Sequence, residues 1–398
     1  MFKRNVLAVS LTLAGLCAAQ AAMADVNGGG ATLPQPLYQT AGVLTAGFAP
    51  YLGVGSGNGK LAFLNNDYTK IKPGDTSNPP KNVHWAGSDS KLNATELSSY
   101  VTAHGAAWGP LIQVPSVATS VAIPFNKTGT ANVDLSVNQL CGVFSGRLAT
   151  WDQITGSGRT GPIVVVYRAE SSGTTELFTR FLNAKCAETG TFAVTTTFAS
   201  SYSGGLPAGA VSASGSANVM TALNAAQGRI TYMSPDYAAT TLAGLDDATK
   251  VARVGGLSPA PANVSAAINA VSVPAATDRS KPNAWVPVFT SQKVIDETIP
   301  ADPSLRLYPT SGYPILGFTN VIFSQCYVNA AQSTQVRDFF TRHYGAVAAN
   351  NNDAAITANR FVPLPTAWKN AIRGSFLTTT SAQSIGYPNV CNGKGRPL

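Results

Sequence analysis

Four short segments of the chain combine glycines with hydroxyl-bearing side chains, and each lies where a helix could begin. The first turn of a helix leaves backbone N–H groups without intrahelical partners, and the helix dipole favours negative charge there. Segments of this kind therefore predict a site for a small anion. The four segments are Gly28–Pro34, Gly53–Lys60, Ala86–Ser90 and Arg168–Thr175.

The segment Arg168–Thr175 carries the strongest indication, because it lies between the apolar run IVVVY and an amphipathic stretch. Arg168, at the end of a predicted strand, can bond two oxygens of a tetrahedral anion at once, which a lysine cannot. Ser172, Gly173 and Thr174 then open the helix with hydroxyls and amides. Helix capping is the competing interpretation, and it explains the hydroxyls but not the arginine and glycine beside them.

The segment Gly28–Pro34 offers backbone amides. Pro34 suits the first position of a helix, where its missing N–H would have no partner anyway. The amides near Thr32 and Leu33 are then free to face an anion. A flexible N-terminal turn is the alternative.

The segment Gly53–Lys60 resembles a phosphate-binding P-loop but departs from that pattern at two positions. Val54 and Leu61 stand where the pattern needs a glycine and a serine or threonine. A backbone able to approach a ligand closely remains, with Ser56 as a hydroxyl donor. A plain glycine-rich turn explains the segment equally well.

The segment Ala86–Ser90 places a carboxylate, Asp89, among small residues ahead of a helix predicted at Thr95–Val101. Phosphate near neutral pH still carries a proton, which it can donate to Asp89 in a hydrogen bond. Sulfate has no such proton, so the carboxylate would repel it. Asp89 therefore predicts a preference for phosphate over sulfate, with an ordinary cap or turn as the alternative.

The N-terminal residues indicate export. Two cationic residues precede an apolar run, Val6–Leu16, that is too short to span a bilayer, and small residues stand at positions 22 and 24. We therefore expect a signal peptide over residues 1–24, cleavage after Ala24, and a soluble periplasmic or secreted protein. A lipid anchor on Cys17 is disfavoured, because Leu16 occupies a position where a small residue is expected.

The cysteines agree with an oxidising compartment. Besides Cys17 the chain has four, an even number that favours two disulfides with three possible pairings. Sequential pairing keeps each bridge within one region of the chain. A metal site is disfavoured, because the sequence contains no CxxC spacing and only three histidines. The four cysteines are Cys141, Cys186, Cys326 and Cys391.

The composition argues against nucleic acid as a partner. Charged residues make up 12% of the chain, about half the usual share, and the net charge of +8 is spread over scattered basic residues. Neither a Lys/Arg run nor an interleaving of basic and aromatic residues is present. A mild positive field still raises the local concentration of a small anion.

Short β-rich runs alternate with amphipathic helical stretches, which predicts an α/β fold of two lobes with mainly parallel sheets. Val114–Pro124 and Tyr313–Thr319 are the segments that could carry the chain between the lobes. We therefore expect residues 25–117 with 316–398 in lobe I and residues 118–315 in lobe II. The predicted elements are a strand–turn–strand at Leu111–Phe125, strands at Ile163–Tyr167, Arg229–Met233 and Ile315–Phe323, and helices at Asp134–Phe144, Thr175–Lys185, Val219–Ala226, Val264–Ala270, Gln335–Tyr344 and Thr366–Phe376.

Signatures of hydrolytic enzymes are mostly missing from the sequence. It contains no GxSxG, no HExxH and no SxxK in a suitable context. His84, His104 and His343 lie far apart, and each is interpreted as a structural or surface residue. We expect no catalytic residue, cofactor or metal.

The mature start DVNGGGATLPQ resembles the N-terminus of the DING proteins, with Val26 in place of the isoleucine in their name. The resemblance covers essentially the whole mature chain, and only the stretch near 255–309 matches loosely. It continues through VHWAGSDSK, QVPSVATSVAIPF, LCGVFSGR, residues 165–185, YPILGFTNVIFSQC and CNGKGRP.

DING proteins are similar to the phosphate-binding component of bacterial phosphate ABC importers. The resemblance implies the type II periplasmic binding fold, the two sequential disulfides, a monomer, and phosphate capture for uptake or scavenging, with an inner-membrane ABC permease as a further partner. Phosphatase activity is attributed to some members, so a secreted phosphatase using the same cleft is the alternative, and an adhesive or scaffold role is a third. The residues that the resemblance assigns to phosphate are Thr32, Leu33, Ser56, Asp89, Arg168, Ser172, Gly173 and Thr174.

Overall fold

The computed structural model describes residues 26–269, 271–298 and 301–397. The predicted signal peptide, its cleavage site and Cys17 lie outside the described residues. Among the described residues, no helix is both long enough and apolar enough to cross a membrane.

Two central sheets organise the chain. The first has the strand order β2-β1-β3-β13-β4, and the second has the order β6-β10-β5-β9-β7-β8, while β11 and β12 form a separate parallel pair. The strands are β1 Gly28–Gly30, β2 Leu52–Gly53, β3 Trp85–Ser88, β4 Leu111–Ser120, β5 Ile123–Asn126, β6 Asp134–Leu135, β7 Val164–Arg168, β8 Val211–Ala213, β9 Arg229–Thr231, β10 Val251–Val254, β11 Val288–Thr290, β12 Leu305–Leu307 and β13 Leu316–Ser324.

Parallel pairing dominates where the site will form. In the first sheet β1 runs parallel to β2 and β3, and in the second sheet β7 runs parallel to β8 and β9. Strand β13 lies between β3 and β4 in the first sheet and pairs antiparallel with both. Parallel strands require crossover connections, which the helices supply.

Each helix predicted from the sequence has a counterpart in the structure, with two corrections. Asp134–Leu135 is a strand, so the helix predicted from Asp134 begins only at Val137, after the cap Ser136. Pro34 precedes its short helix as the cap and does not occupy the first helical position. The helices are α1 Gln35–Gln39, α2 Ser56–Asn65, α3 Ala94–Trp108, α4 Val137–Ser145, α5 Gly173–Lys185, α6 Ser216–Asn224, α7 Pro235–Ala238, α8 Leu242–Asp246, α9 Pro261–Ile268, α10 Gln292–Glu297, α11 Ala330–His343, α12 Asp353–Ala358, α13 Thr366–Phe376 and α14 Pro388–Cys391.

The chain passes between the sheets at two adjacent places. Strand β4 of the first sheet is followed after two residues by β5 of the second, and the chain returns into β13. The two passages are joined, since the amide of Val121 donates to the carbonyl of Ile315 at 2.8 Å and the Tyr313 hydroxyl donates to the carbonyl of Val121 at 3.0 Å.

The segment between β10 and β13 packs largely on the first sheet. Helix α9 and the turn Pro282–Trp285 lie against β4, and Phe289 stacks on Phe318 of β13. The boundary of lobe II at residue 315 stays a prediction.

Both disulfides follow the sequential pairing. Cys141 of α4 is bonded to Cys186, which caps the end of α5, and Cys326 after β13 is bonded to Cys391 at the end of α14. Each bridge closes a loop within one region, with separations of 45 and 65 residues. In the chain-entropy account, each contributes about 4 kcal/mol by restricting the unfolded chain.

Candidate functional site

The candidate site lies where the ends of parallel strands from both sheets face each other. In the first sheet β1 leads to Thr32 and β3 to Asp89, while in the second sheet β7 ends in Arg168 and β8 precedes Ser216. Helices α1, α2, α5 and α6 begin beside these ends. Ligands of open α/β sheets typically bind outside the carboxyl ends of the strands, where such helix N-termini gather.

Arg168 joins the two sheets. Its side chain is 2% exposed, and its Nη2 donates to Thr32 Oγ1 at 2.9 Å. Its Nη1 lies 3.4 Å from Ser216 Oγ, and the hydroxyls of Thr32 and Ser216 are themselves 2.9 Å apart. A fixed cation and two hydroxyls from different strand ends therefore converge at one place.

Glu170 fixes the orientation of that cation. The Nε of Arg168 donates to Glu170 Oε1 at 2.8 Å, and Nη2 donates to the same oxygen. The backbone amide of Gly215 also donates to Glu170 Oε1, at 3.0 Å. A guanidinium held along one edge keeps its remaining donors in a fixed direction.

Asp89 is a buried carboxylate on the facing sheet, 4% exposed. Thr319 Oγ1 donates to its Oδ1 at 2.8 Å, and Thr174 Oγ1 donates to its Oδ2 at 3.1 Å. Its backbone amide donates to Ser56 Oγ at 3.1 Å. Burial raises the pKa of Asp89 to about 6, and this effect outweighs the hydrogen bonds and the positive charge of Arg168, which lower it.

Helix α5 presents its N-terminus to this region. The hydroxyl of Ser172 accepts from the amide of Thr175 at 3.2 Å, so the capping interpretation holds for its oxygen. The hydroxyl proton is still available for donation, because a hydroxyl both donates and accepts. Gly173 and Thr174 open the helix with amides that have no intrahelical partner.

Two glycines let the facing loops touch. A Cβ built on Gly173 would lie 2.5 Å from Ser56 Oγ and 2.6 Å from the Cβ of Asp89. A Cβ on Gly57, in the first turn of α2, would lie 2.6 Å from Ser171 Oγ. Side chains at these positions would hold the two sheets apart.

A family profile described as a PBP superfamily domain matches residues 18–341. Alkaline phosphatase L of Pseudomonas aeruginosa strain UCBPP-PA14 is 71% identical over 403 residues, covering 100% of both chains. A phosphate-binding protein of an unknown prokaryotic organism is 67% identical and covers 94% of this chain and 100% of its own.

Among solved structures, the high-affinity periplasmic phosphate-binding protein PfluDING, bound with phosphate, superposes with a TM-score of 0.89. It is 74% identical and covers 94% of this chain and 100% of its own. This chain belongs to the DING protein family. The periplasmic binding fold predicted from the sequence is thereby confirmed.

All eight residues that the DING resemblance singles out lie at these facing strand ends and helix starts. Leu33 is wholly buried, so its side chain belongs to the core and only its backbone can serve a ligand.

Sequence reasoning missed three residues that contact Arg168 or Asp89 in the candidate site: Glu170, Ser216 and Thr319. Ser216 had a recognisable pattern, because Ser214-Gly215-Ser216 precedes a predicted helix in the same way as the other segments. Glu170 stands two residues after Arg168, within the segment already selected. Thr319 had no local pattern, since only strand pairing brings β13 beside Asp89.

The histidines serve other parts of this DING protein. His84 accepts from the amide of Asn27 at 3.0 Å, and its burial lowers its pKa to about 3. His343 is buried with its Nε2 2.8 Å from Ser116 Oγ, and burial lowers its pKa to about 4. His104 stacks on Trp108. Among the described residues, no group of three or more His, Cys, Asp or Glu could hold a metal ion.

The raised pKa of Asp89 predicts a pH dependence of stability for the ligand-free protein. Between about pH 4 and pH 6 the folded chain keeps a proton that the unfolded chain has released, so the free energy of unfolding falls as pH rises through this window. The fall is on the order of 3 kcal/mol relative to Asp89→Asn. Denaturant unfolding of both proteins from pH 4 to pH 8 measures the difference, and a difference that is constant across the range would contradict it.

Proposed function

We propose that this protein captures inorganic phosphate between its two lobes and does not transform it. The observation that carries the proposal is that a buried cation and a buried carboxylate lie at the same site. Arg168 ends a strand of the second sheet, Asp89 follows a strand of the first, and hydroxyls and helix N-termini surround them. Arg168 supplies positive charge and directed donors. Asp89 supplies an acceptor that only a protonated anion can use.

The ligand set we propose is the one expected from the sequence, with Ser216 added. Desolvating a phosphate dianion is costly, so many donors must act at once. Arg168, the hydroxyls and the helix amides supply them. The hydroxyls of Thr32 and Ser216 are 2.9 Å apart, so donors from both sheets lie together. The full set is Thr32, Leu33, Ser56, Asp89, Arg168, Ser172, Gly173, Thr174 and Ser216.

Capture proceeds by closure of the lobe built on the first sheet against the lobe built on the second, and the segment between β10 and β13 moves with the first sheet, on which it packs. The two adjacent passages of the chain between the sheets supply the hinge, and phosphate stabilises the closed form because it bonds both sides. Phosphate-bound PfluDING, at 74% identity, supports phosphate as the ligand. We place the protein in the periplasm or outside the cell after cleavage behind Ala24, as a monomer that delivers phosphate to an ABC permease or scavenges it.

Titration calorimetry on phosphate-stripped protein tests the ligand and the role of Asp89. We expect tight phosphate binding and sulfate binding at least about a hundredfold weaker, because sulfate cannot donate to the carboxylate. Asp89→Asn lowers the phosphate-to-sulfate ratio about tenfold or more, since an amide also donates. Asp236→Asn, at another buried aspartate, is the matched control and leaves the ratio unchanged. No heat with phosphate, or equal affinity for sulfate, would refute the proposal.

Gly57 tests closure separately from ligand contact. Gly57→Ala favours helix α2 by about 1 kcal/mol, so the ligand-free protein is at least as stable, but the added Cβ meets Ser171 and weakens phosphate binding about tenfold or more. Adding Ser171→Gly to this variant restores binding, because it removes the obstructing side chain. Gly374→Ala, in α13 with no atom within 4 Å of its Cβ, is the control. Calorimetry and thermal unfolding measure both effects, and unchanged affinity in Gly57→Ala contradicts closure at this contact.

A phosphatase using the same cleft is the second candidate, and the relative named alkaline phosphatase L, at 71% identity, favours it. Its test is phosphate release from a chromogenic ester by homogeneous protein, with and without a chelator. If the activity resides in this cleft, Arg168→Ala abolishes it together with phosphate binding. We expect the purified protein to show no turnover, and activity lost with Arg168 would establish the enzyme.

A further inference from the structure

A second cavity, of about 540 Å³, lies apart from the candidate phosphate site. It is bordered by helix α3, by the start of the edge strand β4 and by the turn that contains Trp285. None of the proposed phosphate ligands lines it. Its apolar lining includes Leu97, Tyr100, Val101, Leu111, Ile112 and Trp285.

Small residues keep the helix side of this cavity open. Gly105 and Ala106 line it, and a Cβ built on Gly105 would meet only Val101, at 3.5 Å. Val101 itself is 67% exposed, an unusual position for a large apolar side chain. Apolar surface gathered in a concave site of this size is typical of small-molecule binding sites.

The charges of the cavity have one sign. Arg279 and Lys394 line it, and among the described residues no aspartate or glutamate does. Among the described residues, no ion pair includes Arg279 or Lys394. The side chain of Arg279 donates through Nε to the carbonyl of Pro274 at 3.2 Å. Both charges are therefore available to a negatively charged group.

We propose that this cavity binds a long-chain fatty carboxylate, with the acyl chain against the apolar wall and the carboxylate near Arg279 and Lys394. An apolar chain gains by leaving water, and a carboxylate supplies the charge that the cavity lacks. Arg279 and Lys394 would repel a cationic amphiphile, and a neutral amphiphile would form no ion pair with them.

Displacement of cis-parinaric acid, a fluorescent fatty acid, from the phosphate-loaded protein tests the proposal. Hexadecanoate is expected to displace it, and dodecanoate is expected to bind at least about tenfold more weakly, because each buried methylene raises affinity about fourfold. Hexadecanol is expected to compete about threefold to tenfold less well than hexadecanoate, and the double variant Arg279→Gln, Lys394→Gln removes that difference.

A matched pair of variants locates the site. Ala106→Trp fills the cavity and reduces binding of the probe at least about tenfold, whereas Ala103→Trp, exposed on the same helix and outside the cavity, leaves it unchanged. Phosphate calorimetry on each variant checks that it is folded.

Three results would overturn the proposal: no displaceable binding in the wild-type protein, equal binding in the two tryptophan variants, or equal competition by acid and alcohol. Adsorption to phosphatidylglycerol vesicles without displacement by soluble hexadecanoate would assign the surface to a membrane and would also overturn it.

Discussion

Arg168 places a positive charge in the protein interior, and much of the site depends on the groups that bond and neutralise its guanidinium there. A buried guanidinium is tolerated only if its donors are bonded and its charge is compensated. Glu170 compensates the charge, Gly215 fixes Glu170, and Thr32 and Ser216 accept the outward donors. Because Thr32 follows β1 of the first sheet, its hydrogen bond with Arg168 also links the two sheets.

Asp89 presents the opposite problem at the same place. Its burial raises its pKa to about 6, while hydrogen bonds from Thr319 and Thr174 and the nearby arginine favour the charged form. The carboxylate is thus kept ionised near neutral pH, although only by a narrow margin. An ionised carboxylate suits an acceptor for a protonated anion, because it can accept a hydrogen bond from phosphate but repels sulfate, which has no proton to donate.

The glycines of the facing loops matter because they have no side chain, which lets the two loops approach each other closely. Gly57 and Gly173 bring helix starts from both sheets within contact, so donors that are far apart in sequence can act on one small ligand. The histidines and the disulfides belong instead to the framework. His84 and His343 are buried with low pKa values, and each disulfide stabilises one region without crossing between the sheets.

The sequence by itself determined the main helices and the strands β4, β5, β7, β9 and β13, the chemistry of the anion-binding segments, and, through the DING resemblance, the fold and the disulfide pairing. These depend on local periodicity, capping and residue type, which neighbouring residues carry. Tertiary structure alone decided that Thr319 bonds Asp89, that Ser216 joins Thr32, and that Arg279 and Lys394 border one apolar cavity. Strand pairing and packing set those contacts between residues distant in the chain, and no local pattern records them.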